Sequence, residues 1–130
     1  MSKYALDASA VLALLRNEPG ADVVDSSLPD AVVSSVNLAE IVTKLVDRGS
    51  TEEAIGEALL SLNLSVVAFS PEMAHAAGLL RRMTRSRGLS LGDRACLALA
   101  QERGLTAVTA DAAWVGATDI PVLLIRPQKA

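Results

Sequence analysis

The sequence predicts an α/β fold, a single domain over residues 1–130 with a mainly parallel central sheet. Short apolar segments typical of buried strands alternate with longer segments typical of helices. No hairpin signal such as Asn-Gly joins two apolar segments, so the strands are expected to be connected through helices. A length of 130 residues suits one domain.

The elements follow one another with recognisable start and stop signals. A strand over residues 4–6 leads into a helix that continues to about residue 16, and the Asn-Glu-Pro-Gly segment at 17–20 ends it. A Ser-Thr-Glu-Glu segment at 50–53 predicts a capping box, and a Ser-Pro-Glu segment at 70–72 predicts a helix start. The other predicted strands are 31–34, 66–69, 106–109 and 122–125; the other helices are 21–28, 35–48, 50–62, 71–87 and 90–103, with a helical turn at 112–115.

Composition excludes several classes of function. The chain is 51% apolar but only 2% aromatic, which argues against binding of single-stranded nucleic acid on aromatic stacking platforms. A net charge of −3 means that any RNA-binding surface must be local. The one cysteine, Cys96, forms no internal disulfide and is expected as a small buried side chain, which favours a reducing cytoplasm. No apolar segment approaches the ~20 residues that a membrane span needs.

Four acidic residues are expected at one edge of the sheet. Asp7 and Asp111 follow two predicted strands, and parallel strands share their C-terminal edge, where ligands bind in open α/β sheets. Asp93 begins a helix that precedes the strand 106–109 and runs antiparallel to it, so Asp93 should lie near the same edge. Glu40 would join them if its helix returns from that edge as a crossover.

Each acid also has a simpler interpretation as a local structural device. The aspartates could be helix N-caps, and the glutamate could form a surface ion pair one helical turn away. These alternatives are Asp7 or Ser9 capping the first helix, Asp93 with Ser90 as a capping box, Asp111 capping the turn that follows it, and Glu40 pairing with Lys44.

A cluster of acids must be neutralised. Carboxylates ~5 Å apart repel by roughly 3 kcal/mol per pair at an effective dielectric constant of ~20. Protons, basic partners or a divalent cation could offset this repulsion, and Mg²⁺ or Mn²⁺ with oxygen ligands fits best. The only histidine, His75, lies among Ala and Leu on a predicted helix; it is interpreted as structural, which excludes a zinc site.

Four segments of the chain together resemble a known family. They are Leu-Asp7-Ala-Ser9-Ala-Val-Leu, Ser35-x-x-Leu-Ala-Glu40, Leu91-Gly-Asp93-x-Ala-x-Leu-Ala-Leu-Ala100 and Val108-Thr109-Ala-Asp111-x-x-Trp114. In this order and spacing they are similar to the PIN-domain family, and most of all to VapC-type toxins of type II toxin–antitoxin pairs. The resemblance implies a three-layer α/β/α fold with a mainly parallel sheet and Mg²⁺- or Mn²⁺-dependent endoribonuclease activity. It also implies a homodimer and a small cognate VapB-like antitoxin.

The resemblance assigns roles to particular residues. The catalytic and metal-binding acids fall on Asp7, Asp93 and Asp111, with Glu40 binding the ion directly or through water. Ser9 and Thr109 fall where hydroxyl groups support the acids or their metal-bound waters, and Asp119 is a further acid nearby.

An arginine cluster is the candidate RNA-binding surface of this acidic chain. It comprises Arg81, Arg82, Arg85 and Arg87 before Gly88, with Arg94 near them. Arginines there could position RNA phosphates, bind the antitoxin, or simply solvate a helix C-terminus.

Two alternative functions stay open on the sequence. One is a haloacid-dehalogenase-like phosphotransferase with Asp7 as nucleophile, although Ser9 stands where that class expects a second aspartate. The other is a non-catalytic binding domain in which the acids only cap helices.

Overall fold

Five parallel strands form the central sheet in a computed structural model that describes residues 1–127. The strands are β1 (Tyr4–Leu6), β2 (Ala31–Ser34), β3 (Val66–Val67), β4 (Thr106–Thr109) and β5 (Val122–Leu124), in the spatial order β3-β2-β1-β4-β5. The helices are α1 (Ala8–Leu15), α2 (Ala21–Ser27), α3 (Ser35–Asp47), α4 (Glu52–Leu62), α5 (Pro71–Leu79), α6 (Arg81–Thr84) and α7 (Leu91–Arg103). The predicted α/β fold with a parallel sheet is confirmed.

Alternate strand residues bury opposite faces of the sheet, as the pleat requires. Ala5, Val32 and Ala107 pack on one side with side chains of α5 and α7. The residue after each of them points to the other side, where α1, α2 and α3 contribute the packing partners. Both layers are made mainly from Ala, Val and Leu. This arrangement is the three-layer α/β/α architecture.

The strand order reverses at β1. The chain first builds outwards from β1 through β2 to β3, and then returns to place β4 on the other side of β1. Such a switch point leaves a crevice beyond the C-terminal ends of the two central strands. Asp7 follows β1 directly, and Asp111 lies two residues beyond β4.

The predicted continuous helix over residues 71–87 is wrong. α5 ends at Leu79, α6 covers only Arg81–Thr84, and a 3₁₀ turn follows at Arg85–Arg87. The buried Thr84 hydroxyl donates to the Leu80 carbonyl at 3.0 Å, a back-bond that tends to bend helices. Gly78 further lowers the helix propensity just before the break.

Three smaller expectations are corrected. Thr51, rather than a capping box from Ser50, caps α4, because the Thr51 hydroxyl accepts from Ala54 N at 3.1 Å. β3 stops at Val67, since Phe69 N donates to the Ser35 hydroxyl instead of to a strand. His75 is exposed on α5 and is not a core residue. Within residues 1–127, no helix combines the length and the apolar character needed to cross a membrane.

Candidate active site

Asp7 is the buried centre of the site. Its side chain is only 4% exposed, and it caps α1 by accepting from Ala10 N at 2.8 Å. The Ser9 hydroxyl donates to both Asp7 oxygens, at 2.8 and 2.9 Å. The Thr109 hydroxyl donates to Asp7 Oδ2 at 2.6 Å across the neighbouring strand. Three donors therefore hold this carboxylate in one orientation.

The same two hydroxyl groups connect the ends of β1 and β4. Ser9 Oγ accepts from Ala110 N at 2.9 Å, and Thr109 Oγ1 accepts from Asp111 N at 3.1 Å. The backbone of Asp111 is thus fixed to Asp7 through one hydroxyl. This is where the structure places the hydroxyls expected to support the acids: against the Asp7 carboxylate itself.

Asp93 and Asp111 each take part in capping a helical segment as well as in the predicted acidic edge (Asp7, Glu40, Asp93 and Asp111): Asp93 is the third residue of α7 in a capping box with the N-cap Ser90, and Asp111 is itself an N-cap. Asp93 Oδ2 accepts from Ser90 N at 2.8 Å, and Ser90 Oγ accepts from Asp93 N at 3.2 Å, which completes the capping box of α7. Asp111 Oδ1 accepts from Ala113 N at 2.9 Å and caps the 3₁₀ turn Ala112–Trp114. Each of these caps engages one carboxylate oxygen, so the cap and site interpretations are compatible.

Glu40 is held by a contact between α3 and α7 that the sequence did not reveal. Asn37 Nδ2 donates to Glu40 Oε1 at 2.8 Å and to the Gly92 carbonyl at 3.0 Å. Helical periodicity puts Asn37 beside Glu40 on the polar face of α3, yet the Asn37 side chain is only 1% exposed. The alternative ion pair of Glu40 with Lys44 is not formed in the described part of the chain, where the ion pair found joins Arg126 to Glu18.

Gly92 provides the space that Glu40 occupies, so one added methyl group should move the Glu40 carboxylate. A Cβ atom at Gly92 would collide with that carboxylate, which is the end of a flexible and partly exposed side chain. We expect Gly92→Ala to displace Glu40 from Asn37 and thereby to cancel the gain in the free energy of unfolding, about 0.5–1 kcal/mol, that replacing a helical glycine by alanine otherwise brings in urea denaturation. Gly56→Ala in α4 is the matched control, because nothing lies within 4 Å of its Cβ position. That control should raise stability by about 0.5–1 kcal/mol; equal effects of the two substitutions would contradict the crowding argument.

The acids influence one another electrostatically. Burial raises the pKa of Asp7 from an ordinary 3.8 to about 6, the hydrogen bonds from Thr109, Ala10 and Ser9 oppose the rise, and the charge of Asp93 adds to it. Burial also raises the pKa of Asp93; the bonds from Ser90 lower it, the charge of Asp111 raises it, and the charge of Arg94 lowers it. In residues 1–127 none of the four acids is in an ion pair. The charge at this edge is therefore not offset by a salt bridge.

The raised pKa of Asp7 predicts an unusual pH dependence of stability in EDTA. Between pH 3.8 and about 6 the folded state binds more protons at Asp7 than the unfolded state, so this group's contribution falls as the pH rises through that window. The loss is at most about 3 kcal/mol and is complete above pH 6. Urea denaturation across this range should show it as a difference between the wild type and Asp7→Asn, which lacks the titration. Parallel curves for the two proteins would contradict it.

The donor set fits a hard divalent cation held partly through water. Within residues 1–127, no three His, Cys, Asp or Glu side chains are grouped closely enough to hold one metal ion together. Mg²⁺, however, is commonly bound through one or two carboxylates and keeps several waters. Carboxylate oxygens without an ion-pair partner in residues 1–127, supported by neutral hydroxyl groups, match that preference, whereas a set without histidine or thiolate does not match zinc.

The five candidate arginines are distributed over three elements. Arg81 and Arg82 lie on α6, Arg85 and Arg87 lie on the following 3₁₀ turn, and Arg94 lies on α7. Arg94 donates to the Ala77 carbonyl at 3.0 Å and is partly buried. Of the five, Arg87 lines a cleft together with Asp111. That cleft also contains Arg126, which the sequence did not single out because it lies far from every motif.

Comparison with known families agrees with this geometry. The family profile described as the PIN domain matches residues 4–117. The chain belongs to the PIN domain family. The family resemblance seen in the sequence is confirmed. PIN domains are generally nucleases, and they generally use divalent metal ions.

Solved structures share the fold of this PIN domain. A chain of the toxin–antitoxin complex from Klebsiella pneumoniae matches with a TM-score of 0.78 at 17% identity, covering 95% of this chain and 98% of its own. VapBC2 from Rickettsia felis, bound to a DNA fragment from its promoter, matches with 0.75 at 18% identity, covering 93% and 97%. DNA-bound VapBC from Salmonella typhimurium matches with 0.70 at 20% identity, covering 97% and 100%. A search of curated proteins found no match.

Proposed function

We propose that this PIN domain is a Mg²⁺- or Mn²⁺-dependent endoribonuclease and the toxin of a type II toxin–antitoxin pair. Its catalytic residues are Asp7, Glu40, Asp93 and Asp111. The observation that carries the proposal is that three aspartates from separate elements influence one another at the switch point of the sheet without an ion-pair partner in residues 1–127. Clustered carboxylates of this kind, in a PIN domain, are the groups that a metal-dependent phosphodiesterase site requires.

The proposed roles follow from the contacts. Asp7, Asp93 and Asp111 would hold the ion partly through its bound waters, since no three of these side chains are grouped closely enough in residues 1–127 to bind one ion directly, and Glu40 would bind directly or through water. An ion held by these residues would supply Lewis-acid polarisation of the scissile phosphate and activation of the attacking water. Ser9 and Thr109 hold the Asp7 carboxylate in position, and Asn37 holds Glu40. Attack by water, rather than by the ribose 2′-hydroxyl, leaves a 5′-phosphate and a 3′-hydroxyl.

The partner assignments rest on the structural relatives. The matching structures are described as toxin–antitoxin or VapBC complexes, and their chains align over nearly their full length with this one. We therefore propose a small VapB-like antitoxin as the cognate partner, a homodimer of this chain, and action on RNA in the cytoplasm. Co-purification with the product of a small reading frame directly upstream tests the antitoxin assignment. Size-exclusion chromatography with light scattering tests the dimer.

Mapping of cleavage sites tests the enzymatic proposal. Purified protein is incubated with structured transcripts in Mg²⁺, in Mn²⁺ and in EDTA, and the products are mapped by primer extension. We expect cleavage at internal sites with either ion and none in EDTA. The 5′ ends of the products should carry a phosphate and should therefore be ligated to an adaptor without prior phosphorylation. Equal cleavage in EDTA, or 2′,3′-cyclic phosphate ends, would exclude the proposed chemistry. A phosphoryl-aspartate on Asp7 would favour the phosphotransferase alternative instead.

A further inference from the structure

A cleft beside the acidic edge contains two arginines that have no role in the site described above. Its volume is about 780 Å³, within the range of ligand-binding clefts. Of the four predicted acids, only Asp111 lines it; the other lining residues are Glu18, Pro19, Arg87, Ala110, Ala112, Ala113, Arg126 and Pro127. The cleft therefore adjoins the predicted acidic residues at Asp111.

Arg87 is fixed on one wall of this cleft. Its Nη1 donates to the Ala113 carbonyl at 3.1 Å and to the Val115 carbonyl at 2.8 Å. Both carbonyls belong to the segment that follows Asp111, so the guanidinium is tied to the same loop as the acid. Neutral carbonyls leave its positive charge uncompensated. Because the other nitrogens carry further donors in a fixed plane, a guanidinium held in this way is preorganised to bind an anion.

Arg126 also lines the cleft and is only partly neutralised. Gly20 lies against Ile125 so closely that a Cβ atom would stand 2.7 Å from the Ile125 carbonyl oxygen. This approach brings the α1–α2 turn alongside Arg126, whose Nη1 donates to the Pro19 carbonyl at 3.1 Å. The ion pair with Glu18 is long, at 3.9 Å, and both side chains are about one third exposed. Such a pair contributes little and is easily exchanged for a stronger anion.

We infer that this cleft, defined by Arg87 and Arg126, binds a backbone phosphate of the single-stranded RNA substrate next to the scissile position. The inference rests on the proposed function and names the groups that position its substrate. Contacts from arginine to phosphate fix the register of a strand without reading its sequence. They also explain how a chain of net charge −3 with almost no aromatic residues can hold RNA: the cations are few, local and adjacent to the acids. Glu18 acts as an internal competitor for Arg126.

Two substitutions that remove the same ion pair should change RNA affinity in opposite directions. Binding of a short fluorescein-labelled RNA of random sequence is measured by anisotropy in Mg²⁺. The protein carries Asp7→Asn, because this substitution should suppress cleavage of the RNA during the measurement. Adding Arg126→Gln should weaken binding roughly tenfold and reduce the salt slope by about 0.7, the value for one lost contact to a single strand. Adding Glu18→Gln should instead tighten binding, because it releases Arg126. Arg87→Gln should weaken binding like Arg126→Gln.

Matched controls remove the same charges elsewhere on the surface. Arg103 lies at the end of α7, remote from the cleft, and Glu57 is exposed on α4. Arg103→Gln and Glu57→Gln should leave the affinity within about twofold of the parent. Thermal melting verifies that each variant is folded. If Arg87→Gln unfolds, the comparison of Arg126→Gln with Glu18→Gln is sufficient to test the inference.

The outcomes separate the cleft from the proposed function. If Glu18→Gln and Arg126→Gln weaken binding equally, or if both match their controls while the wild type cleaves RNA, the cleft inference is overturned and the nuclease proposal stands. If the arginine variants keep full RNA affinity but lose neutralisation by the antitoxin, the cleft is a protein-binding site and the inference is likewise wrong. If the wild type neither binds nor cleaves RNA, the proposed function itself fails.

Discussion

Asp7→Asn is expected to reduce Mg²⁺-dependent RNA cleavage by roughly a hundredfold or more, because the variant loses the one acid that lies at the centre of the site. Metal polarisation of the phosphate and the activated water are worth several kcal/mol in the transition state, which corresponds to a loss of this size. Initial rates of cleavage of a mapped transcript under single-turnover conditions provide the measurement.

The fold should survive this substitution. Asparagine is as good an N-cap as aspartate, so the bond from Ala10 N can persist. Circular dichroism and thermal melting should therefore match the wild type or show a more stable protein at neutral pH. Asp47→Asn is a suitable control, since Asp47 is exposed at the far end of α3 from the acidic edge. If Asp7→Asn cleaves at the wild-type rate while folded, the proposed mechanism has no basis.

Divalent cations are expected to raise the melting temperature of the wild-type protein by several degrees. An ion at a hundred times its dissociation constant adds about 2.7 kcal/mol to the free energy of unfolding. Each kcal/mol corresponds to several degrees for a domain of this size. The physical reason is that Asp7 and Asp93 are buried near other negative charge and have no ion-pair partner in residues 1–127. Differential scanning calorimetry in EDTA and in Mg²⁺ or Mn²⁺ measures the shift.

Asp93→Asn separates ion binding from a general salt effect. This variant keeps the capping geometry of α7 through the Asn side-chain oxygen and Ser90, but it removes one proposed ligand. Most of the stabilisation by Mg²⁺ should disappear in Asp93→Asn, whereas Asp47→Asn should retain all of it. An unchanged melting temperature of the wild type upon addition of either ion would instead favour the interpretation of the acids as caps alone.

Local signals in the sequence predicted most of the architecture. Apolar strands, N-cap residues and closing glycines placed all five strands and most helices, because these features depend on neighbours within one or two turns. The prediction of one continuous helix over 71–87 was wrong because the break depends on contacts beyond the sequence neighbours. The break is accompanied by the bond from the Thr84 hydroxyl to the Leu80 carbonyl, and the burial of Thr84 that goes with this bond could not be predicted from its sequence neighbours.

The candidate site divides in the same way. Chain connectivity was enough to bring Asp7, Asp93 and Asp111 towards one edge, since a parallel sheet allows few other arrangements. Connectivity could not predict which side chains form hydrogen bonds with these acids. Asn37 was predicted on a polar face, and nothing in the sequence pairs it with Gly92, which is 55 positions away. Arg126 lines the neighbouring cleft, where the α1–α2 turn and the end of β5 pack together at Gly20.

What the sequence alone determined is therefore the fold class, the family and the acids, all of which follow from periodicity, capping and the order of motifs. Only the tertiary structure decided how those acids are oriented, which hydroxyls and amides hold them, and which arginines face the same cleft. The reason is physical: a carboxylate's position depends on chain topology, but its hydrogen bonds, its burial and its pKa depend on side chains that are distant in sequence and meet only in the folded protein.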